Sequence, residues 1–328
     1  MKQHIFIVDY IGKHSGMHYY NESFEKILNE AGFKTYLLSN YSVSSNSSPF
    51  FYNIYKKNKL FSILLLKINF CKLFLKLLFT KNSTFIIYHY GGWLDVILFS
   101  QLLLFKNKII VDVHEIYSLD NVKGIILKKI ININFKYLIK NVISHSVRTD
   151  LLLNKIGYTK VKLEVPHFKY CFDLNIDEKK INDEIKNSIS KKNVNLLFFG
   201  HIRESKGIEY LINEFNSLSS LEVINFNLII AGRDSDSLLK KYSIKYLDQA
   251  QLILRHIKDD EMKFLFKNSD YIILPYKEIS QSGVVEMAIY NKTPMILSNI
   301  ENFSSILEHY PSFGRKFDLK KVVLEKPL

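Results

Sequence analysis

Short β-branched and aromatic runs alternate with helix-patterned stretches along most of this 328-residue chain, and few folds accommodate that order. In the first half the runs are HIFIVDY (4 to 10), FKTYLLS (33 to 39), TFIIYHY (84 to 90), KIIVDVH (108 to 114), NVISHS (141 to 146) and KLEVPH (162 to 167). Between them lie stretches with apolar residues three and four apart, such as MHYYNESFEKILNEAGF, which ends with Gly32 where a helix C-cap belongs. Alternation of this kind predicts a parallel sheet with helices on both faces.

The pattern lapses between residues 171 and 192 into DLNIDEKKINDEIKNSISKKN, polar enough for a linker that holds one surface helix. It then resumes with NVNLLFFG (193 to 200), NFNLIIAG (225 to 232), QLILRH (251 to 256), YIILPY (271 to 276) and TPMILS (293 to 298). The expectation is α/β, with two doubly wound domains in tandem: residues 1–170, a linker 171–192, and residues 193–328. Two cysteines, Cys71 and Cys171, suit a reduced compartment better than a disulfide framework. The opening MKQHIFIVDY reads as a first strand rather than a signal peptide, which predicts a cytoplasmic protein.

Charge is distributed unevenly. Residues 1–170 hold 23 Lys+Arg against 10 Asp+Glu, and the remainder holds 22 of each, so the whole net charge of +13 sits in the first half. Much of it lies in or beside KKNKLFSILLLKINFCKLFLKLLFTK (56 to 81) and KGIILKKIININFKYLIKN (123 to 141). The first stretch is apolar, but each of Lys67, Lys72 and Lys76 would cost about 2.5 to 3.5 kcal/mol near a bilayer centre, which argues against insertion across it. Asn69, Lys72 and Lys76 recur at helical spacing as a polar stripe. Two readings stay open: a helix lying on anionic lipid, or a core helix with its lysines in water. No helix-turn-helix, zinc finger or aromatic RNA-binding signature is present, so nucleic acid is not expected as a partner.

In open parallel sheets, ligands gather beyond the carboxyl ends of the strands. After NLLFFG comes HIRESKGIEYLINEF, which places Arg203 and Lys206 in a short loop where the fork of one and the point charge of the other can hold a diphosphate. After YIILPY comes KEISQSGVVEMAIYNKTP, in which Ser282 and Gly283 open an apolar helix whose free N–H groups suit an anion. Glu278 and Glu286 on either side are acceptors, fitted to hydroxyls and not to phosphate. Phosphate held by backbone and cations, and hydroxyls held by carboxylates, is what a nucleotide sugar requires. The triplet Asp234 to Asp236 (DSD) reads as a solvated loop, and the ten histidines show no spacing that predicts a zinc site. GKHSG (12 to 16) is not the GxGxxG of a dinucleotide enzyme.

In these stretches the chain resembles the family 4 retaining glycosyltransferases of the GT-B fold, also grouped as glycosyltransferase group 1. LLFFGHIRESKGIEYLINEF is similar to that family's phosphate loop, and LPYKEISQSGVVEMAIYNKTPMILS to its acidic motif, two Glu with seven residues between them. VDVHE (111 to 115) is similar to the strand that ends in a sugar-facing His, and KVKLEVPH (160 to 167) to the strand closing the N-terminal domain. The resemblance runs over residues 1 to 310. It implies Arg203, Lys206, Ser282 and Gly283 at the donor diphosphate, Glu286 at the ribose, and Glu278 and His114 at the reacting sugar. Gly12 and Gly16 would form the loop approaching both donor and acceptor. Two departures stand out. His201 occupies a position where the family often has Arg, and the interval from Glu286 to Pro294 is one residue longer than usual, which makes Met287 a rival for the ribose register.

The resemblance further implies two Rossmann-like domains facing a cleft and a metal-independent enzyme with no cofactor. It would move a sugar with retention to a saccharide or lipid-linked acceptor, in bacterial surface polysaccharide synthesis. The basic first half adds the expectation of peripheral contact with the inner face of the cell membrane. The alternatives are a nucleotide-sugar epimerase of the same fold and a non-catalytic saccharide- or membrane-binding relative.

Overall fold

A computed structural model describes residues 4–12, 17–42, 49–54, 58–99, 102–105, 108–117, 124–165, 175–278 and 282–318. The chain divides into two compact units, Met1–Cys171 and Phe172–Leu328.

The first unit contains β1 (His4–Asp9), α1 (His18–Glu30), β2 (Lys34–Ser39), α2 (Lys59–Phe79), β3 (Ser83–His89), α3 (Trp93–Phe99), α4 (Leu102–Phe105) and β4 (Ile109–Val113). It continues with α5 (Ile125–Ile133), a turn of wider helix (Asn134–Leu138), β5 (Asn141–Ser144), α6 (Val147–Ile156) and β6 (Val161–Glu164). The six strands form one parallel sheet in the order β2-β1-β3-β4-β5-β6. From β1 the chain steps one way to β2, then back across the sheet for every later strand. Right-handed crossovers therefore put α1 on one face and the later helices on the other. The packing agrees. Phe6, Val8, Phe85, Ile87, Val111 and Val113 share a core with Leu73 and Leu77 of α2, Phe99 of α3, Leu127 and Ile131 of α5 and Leu153 of α6. On the opposite face Tyr20 of α1 meets Tyr88 edge-on, with ring centroids 5.6 Å apart.

Local signals act where the sequence places them. Gly32 follows α1 at φ +90°, and the Phe33 N–H closes the turn on Leu28 O at 3.0 Å. Asn58 caps α2 through Phe61 N, and Ser146 caps α6 through Thr149 N.

The polar stripe of α2 does not lie in water, as the core-helix reading had it. Asn69 is buried, and its side chain pairs with both backbone groups of Tyr52, at 2.8 and 2.7 Å. Lys72 donates to Phe50 O and lies over the Phe50 and Tyr52 rings, while Lys76 lies over Phe6. The stripe faces the protein beside the buried Leu65, Leu73 and Leu77, and a second set of apolar residues faces out. No helix among the described residues is long and apolar enough to cross a membrane.

The second unit contains α7 (Asp183–Asn187), β7 (Val194–Phe199), α8 (Ile208–Ser217), α9 (Ser220–Val223), β8 (Phe226–Ala231), β9 (Ala250–Ile253) and α10 (Asp259–Lys267). It ends with β10 (Tyr271–Leu274), α11 (Gly283–Asn291), β11 (Met295–Ser298), α12 (Glu301–His309) and β12 (Gly314–Phe317). Its parallel sheet has the order β12-β11-β10-β7-β8-β9. Most of the expected linker turns out to belong to this unit. Ile181 and Ile185 are buried, and Ser188 O accepts from Asn227 Nδ2 at 2.8 Å. β12 was not predicted, because GRKF lacks an apolar run and pairs on one side only.

Candidate functional site

In the second unit the carboxyl ends of β7 and β10 bring the two predicted anion-binding stretches together. The loop after β7 tightens into a short helical turn, Glu204–Lys206, and Gly207 ends it at φ +62°. A Cβ on Gly207 would stand 1.9 Å from Pro275 O, so only glycine lets this loop lie against the segment leaving β10. Lys277 N donates to Ser205 O at 2.9 Å, and the Lys277 ammonium pairs with Glu209. Burial pulls that ammonium down, but Glu209 outweighs it and leaves the group above its ordinary value.

Between the two segments stands Tyr276, fully buried, with Lys206 Nζ 3.7 Å above its ring centre. Burial pushes the phenol well above its usual range, and the Ser282 hydroxyl pulls the other way. The start of α11 also reaches the end of β7, since a Cβ on Gly200 would lie 3.7 Å from Val284 Cγ2. Ser282 caps the helix through Val285 N, leaving the first N–H groups of a nine-residue helix without intrahelical partners. Lys206, Ser282 and Gly283 are thus neighbours, with Tyr276 as the floor between them. Sequence reasoning did not single out Tyr276, although its place directly after a strand was a signal.

Arg203 sits at the entrance of the same loop, but its Nε donates to His201 Nδ1 at 3.0 Å, and His201 Nε2 meets Ser235 Oγ at 3.1 Å. The departure at His201 is therefore coupled to Arg203. Met287 is buried in the core and its sulfur accepts from Asn291 Nδ2, whereas Glu286 is half-exposed. Of the two rivals, Glu286 is the one able to reach a ligand. Glu278 is also half-exposed. Asp234 caps a turn by accepting from Leu238 N and Leu239 N at 2.7 and 3.0 Å, and Asp236 is exposed, which is a loop arrangement.

The first unit gathers a second cluster beyond β1, β3, β4 and β5. Asp9 is buried and accepts from Gly12 N (2.8 Å), Asn21 Nδ2 (2.7 Å) and Tyr90 Oη (2.9 Å). Burial nonetheless raises its carboxyl above the ordinary range. Gly12 holds φ +64°, and a Cβ there would overlap the Asn40 side chain at 1.8 Å. Gly16 lies outside the described residues.

His114, 5% exposed, stacks between Tyr90 and His145 with centroids 5.7 and 5.5 Å away, and the Tyr20 and Tyr88 rings meet it edge-on. Asp112 lies beneath, 2.6 Å from His145 Nε2, 3.7 Å from His114 Nε2 and 3.0 Å from Tyr20 Oη. Burial alone would raise Asp112, but the His145 and His114 charges and the hydrogen bonds from His145 and Tyr20 leave it below the usual range. His145 shows the converse: burial lowers it, and Asp112 with the Val165 carbonyl, 2.8 Å from Nδ1, raises it. Both ring nitrogens face these acceptors, which favours the imidazolium.

Asp112, His114 and His145 offer ligand atoms within 4.8 Å of one another, so these are the residues that could hold a metal ion. Sequence spacing did not reveal them, because His145 comes from the next strand.

Comparison with known proteins agrees with this architecture. Residues 179–314 match the family described as Glycosyl transferases group 1, so the similarity to that family covers most of the second unit. An uncharacterized glycosyltransferase of Methanocaldococcus jannaschii, MJ1607, is 29% identical over 145 residues, 42% of this chain and 36% of that protein. The chain thus spans about a third of that relative's length. Among solved structures, sucrose-phosphate synthase from Thermosynechococcus elongatus superposes with a TM-score of 0.65 at 14% identity, over 98% of this chain and 87% of that one. WaaG, a glycosyltransferase involved in lipopolysaccharide biosynthesis, gives 0.65 at 12%, over 96% and 86%. Anabaena HepE in complex with UDP and glucose gives 0.62 at 12%, over 96% and 86%. At these identities the likeness is one of fold, and the fold is GT-B.

Proposed function

We propose that this protein is a retaining, metal-independent glycosyltransferase that takes a sugar from a nucleotide diphosphate donor. The observation that carries the reading is the convergence of Lys206, Ser282 and Gly283 around Tyr276, within the segment that matches the group 1 family. A lysine and a helix start aimed at one place suit the two negative phosphates of a nucleoside diphosphate. The complexes of HepE with UDP and with UDP and glucose make UDP the first nucleotide to test.

In this reading the bond between the sugar's anomeric carbon and the diphosphate breaks as the acceptor hydroxyl attacks from the same face. The acceptor proton passes to the departing phosphate oxygen. Lys206 and the α11 start stabilise the leaving group, and well-placed donors of this kind are worth about 3 to 4 kcal/mol each. Arg203 assists from its position on His201. Glu278 faces the transferred sugar and Glu286 the ribose, and the family resemblance assigns a sugar-binding role to His114, Gly12 and Gly16 as well. The acceptor is a saccharide or lipid-linked saccharide of a bacterial surface polysaccharide, met by the basic first unit at the cytoplasmic side of the membrane.

Calorimetry with UDP, GDP, ADP and their sugars tests the donor site. One nucleotide diphosphate should bind, and Lys206→Ala should weaken it with the fold intact. No binding by any of them, or equal affinity in the variant, would remove the proposed site.

A further inference from the structure

Helix α2 is apolar on its outward side as well as its inward one. Its inward side is Leu65, Asn69, Leu73 and Leu77, with the lysines at 72 and 76 folded onto aromatic rings beneath. Its outward side repeats at helical spacing as Leu60, Leu64, Ile68, Leu75 and Phe79, with Leu60 80% and Phe79 76% exposed. Phe61, Ile63 and Leu78 are exposed beside it, and Lys67 and Cys71 are exposed within the stripe. A water-facing helix normally turns charged and polar side chains outward. With 21 residues α2 is about 30 Å long, an extended apolar surface rather than a spot.

The same layer repeats the feature. α5 lies on the same face of the sheet as α2 and exposes Ile125, Ile126 and Ile133, with exposed Lys129 four residues from two of them. Leu104 of α4 is exposed as well, and α4 touches α2 through Phe105 and Phe74. Three helices of one layer thus present large aliphatic side chains outward with lysines among them, in the unit that holds all the excess positive charge.

We propose that this helical layer is a membrane-insertion face: α2, and beside it α4 and α5, lie in the plane of an anionic leaflet with their apolar stripes among the acyl chains. Lys67 and Lys129 extend their stems along that surface and place their ammonium groups at the phosphates. Charge complementarity selects the occupant. A second copy of this chain would bring the same lysines and the same net charge onto the face, whereas an anionic leaflet supplies apolar interior and negative headgroups together. This deepens the proposal of a membrane-borne acceptor and rests on it only for the purpose of docking.

The decisive measurement uses Cys71, which is exposed within the stripe. A Cys171→Ser variant of the full chain, labelled at Cys71 with an environment-sensitive fluorophore, is mixed with phosphatidylglycerol-containing vesicles and with pure phosphatidylcholine vesicles. The label should shift to the blue on acidic vesicles and be quenched by lipids brominated in the acyl chains. Part of the binding should survive an increase from about 0.05 to 0.5 M salt, over which the Debye length shrinks severalfold. In the unlabelled chain, Leu64→Glu with Leu75→Glu should lower vesicle affinity about tenfold or more, measured by sedimentation. Both positions are exposed, so the variant should fold, and an unchanged circular dichroism spectrum and urea transition would establish that it has.

Lys67→Glu should weaken acidic vesicles more than neutral ones. No spectral shift with either vesicle would overturn the proposal. So would binding that disappears at high salt without acyl-chain quenching, which is adsorption by charge alone. A concentration-dependent shift without lipid, accompanied by a dimer in sedimentation equilibrium, would assign the face to a second copy instead. The failure of UDP to bind a chain that still inserts would remove the donor proposal and leave this one standing.

Discussion

The two units share one plan, a six-stranded parallel sheet flanked by helices, and differ in what they turn outward. Among the described residues, 22 large apolar side chains stand exposed in the first unit and 6 in the second. The first holds the whole charge excess, while acidic and basic residues balance in the second. Inside, the contrast reverses. Beyond its strands the first unit buries an ion pair, Asp112 with His145, among the rings of Tyr20, Tyr88 and His114. The second latches two loops together around one tyrosine and leaves a helix start available. A sheet topology fixes where loops converge. What each unit turns outward and what it buries is set by side chains the topology leaves undetermined.

The largest expected effect lies in the first unit. Asp112→Asn strands a charged His145 in the interior, and breaking a buried pair from one side costs about 3 to 5 kcal/mol. Urea unfolding should show this loss while UDP affinity in the second unit persists. A cost below about 1 kcal/mol would mean that His145 is neutral and the cluster is not an ion pair.

Next is Glu278→Gln. The shape is kept and, in the proposed mechanism, the charge facing an oxocarbenium-like sugar is lost, so turnover should fall about 100-fold with nucleotide affinity nearly unchanged. Glu286→Gln should do the reverse and weaken the bare nucleotide by about 1 to 3 kcal/mol. Exchange of these two phenotypes in kinetics and calorimetry would mean that the acidic motif lies in the opposite orientation.

A finer comparison uses pH. His145 is raised above its ordinary 6.5, so its contribution is complete below that pH and is lost as pH climbs through the raised value. Asp112 is lowered below 3.8, so its contribution is present above 3.8 and is lost as pH falls through the lowered value. In the second unit Glu261, paired with Arg255, is likewise lowered below 4.5, but Arg255 stays charged at high pH. Both units should weaken in acid, and this pair of groups predicts alkaline weakening in the first alone. Thermal unfolding across pH checks it, and equal alkaline loss in both units would contradict it. The smallest expected effect is none at all: turnover should survive EDTA. Activity lost on chelation and restored by manganese would direct attention to Asp112, His114 and His145 rather than to the DSD loop.

Much of the site could be read from the chain because it is built from local signals. Residues just beyond a strand, a serine before an apolar helix and a cation in a short loop are each visible in one window, and Lys206, Ser282 and Gly283 came from such windows. The contact of Gly207 with Pro275 could not be read, because it joins segments 68 residues apart and depends on an approach that only glycine permits. Nor could Asp112 with His145, where adjacent parallel strands deliver side chains to one point from distant parts of the sequence.

By itself the sequence determined the two parallel sheets and eleven of the twelve strands, since a strand covered on both faces must be an apolar run wherever it lies. It also determined that α2 has a polar and an apolar side. Only the tertiary structure decided which side faces inward. Periodicity defines a stripe, but its direction depends on what lies underneath. Here the backbone of Tyr52 satisfies Asn69, and aromatic rings receive Lys72 and Lys76, so the polar stripe is the one that packs.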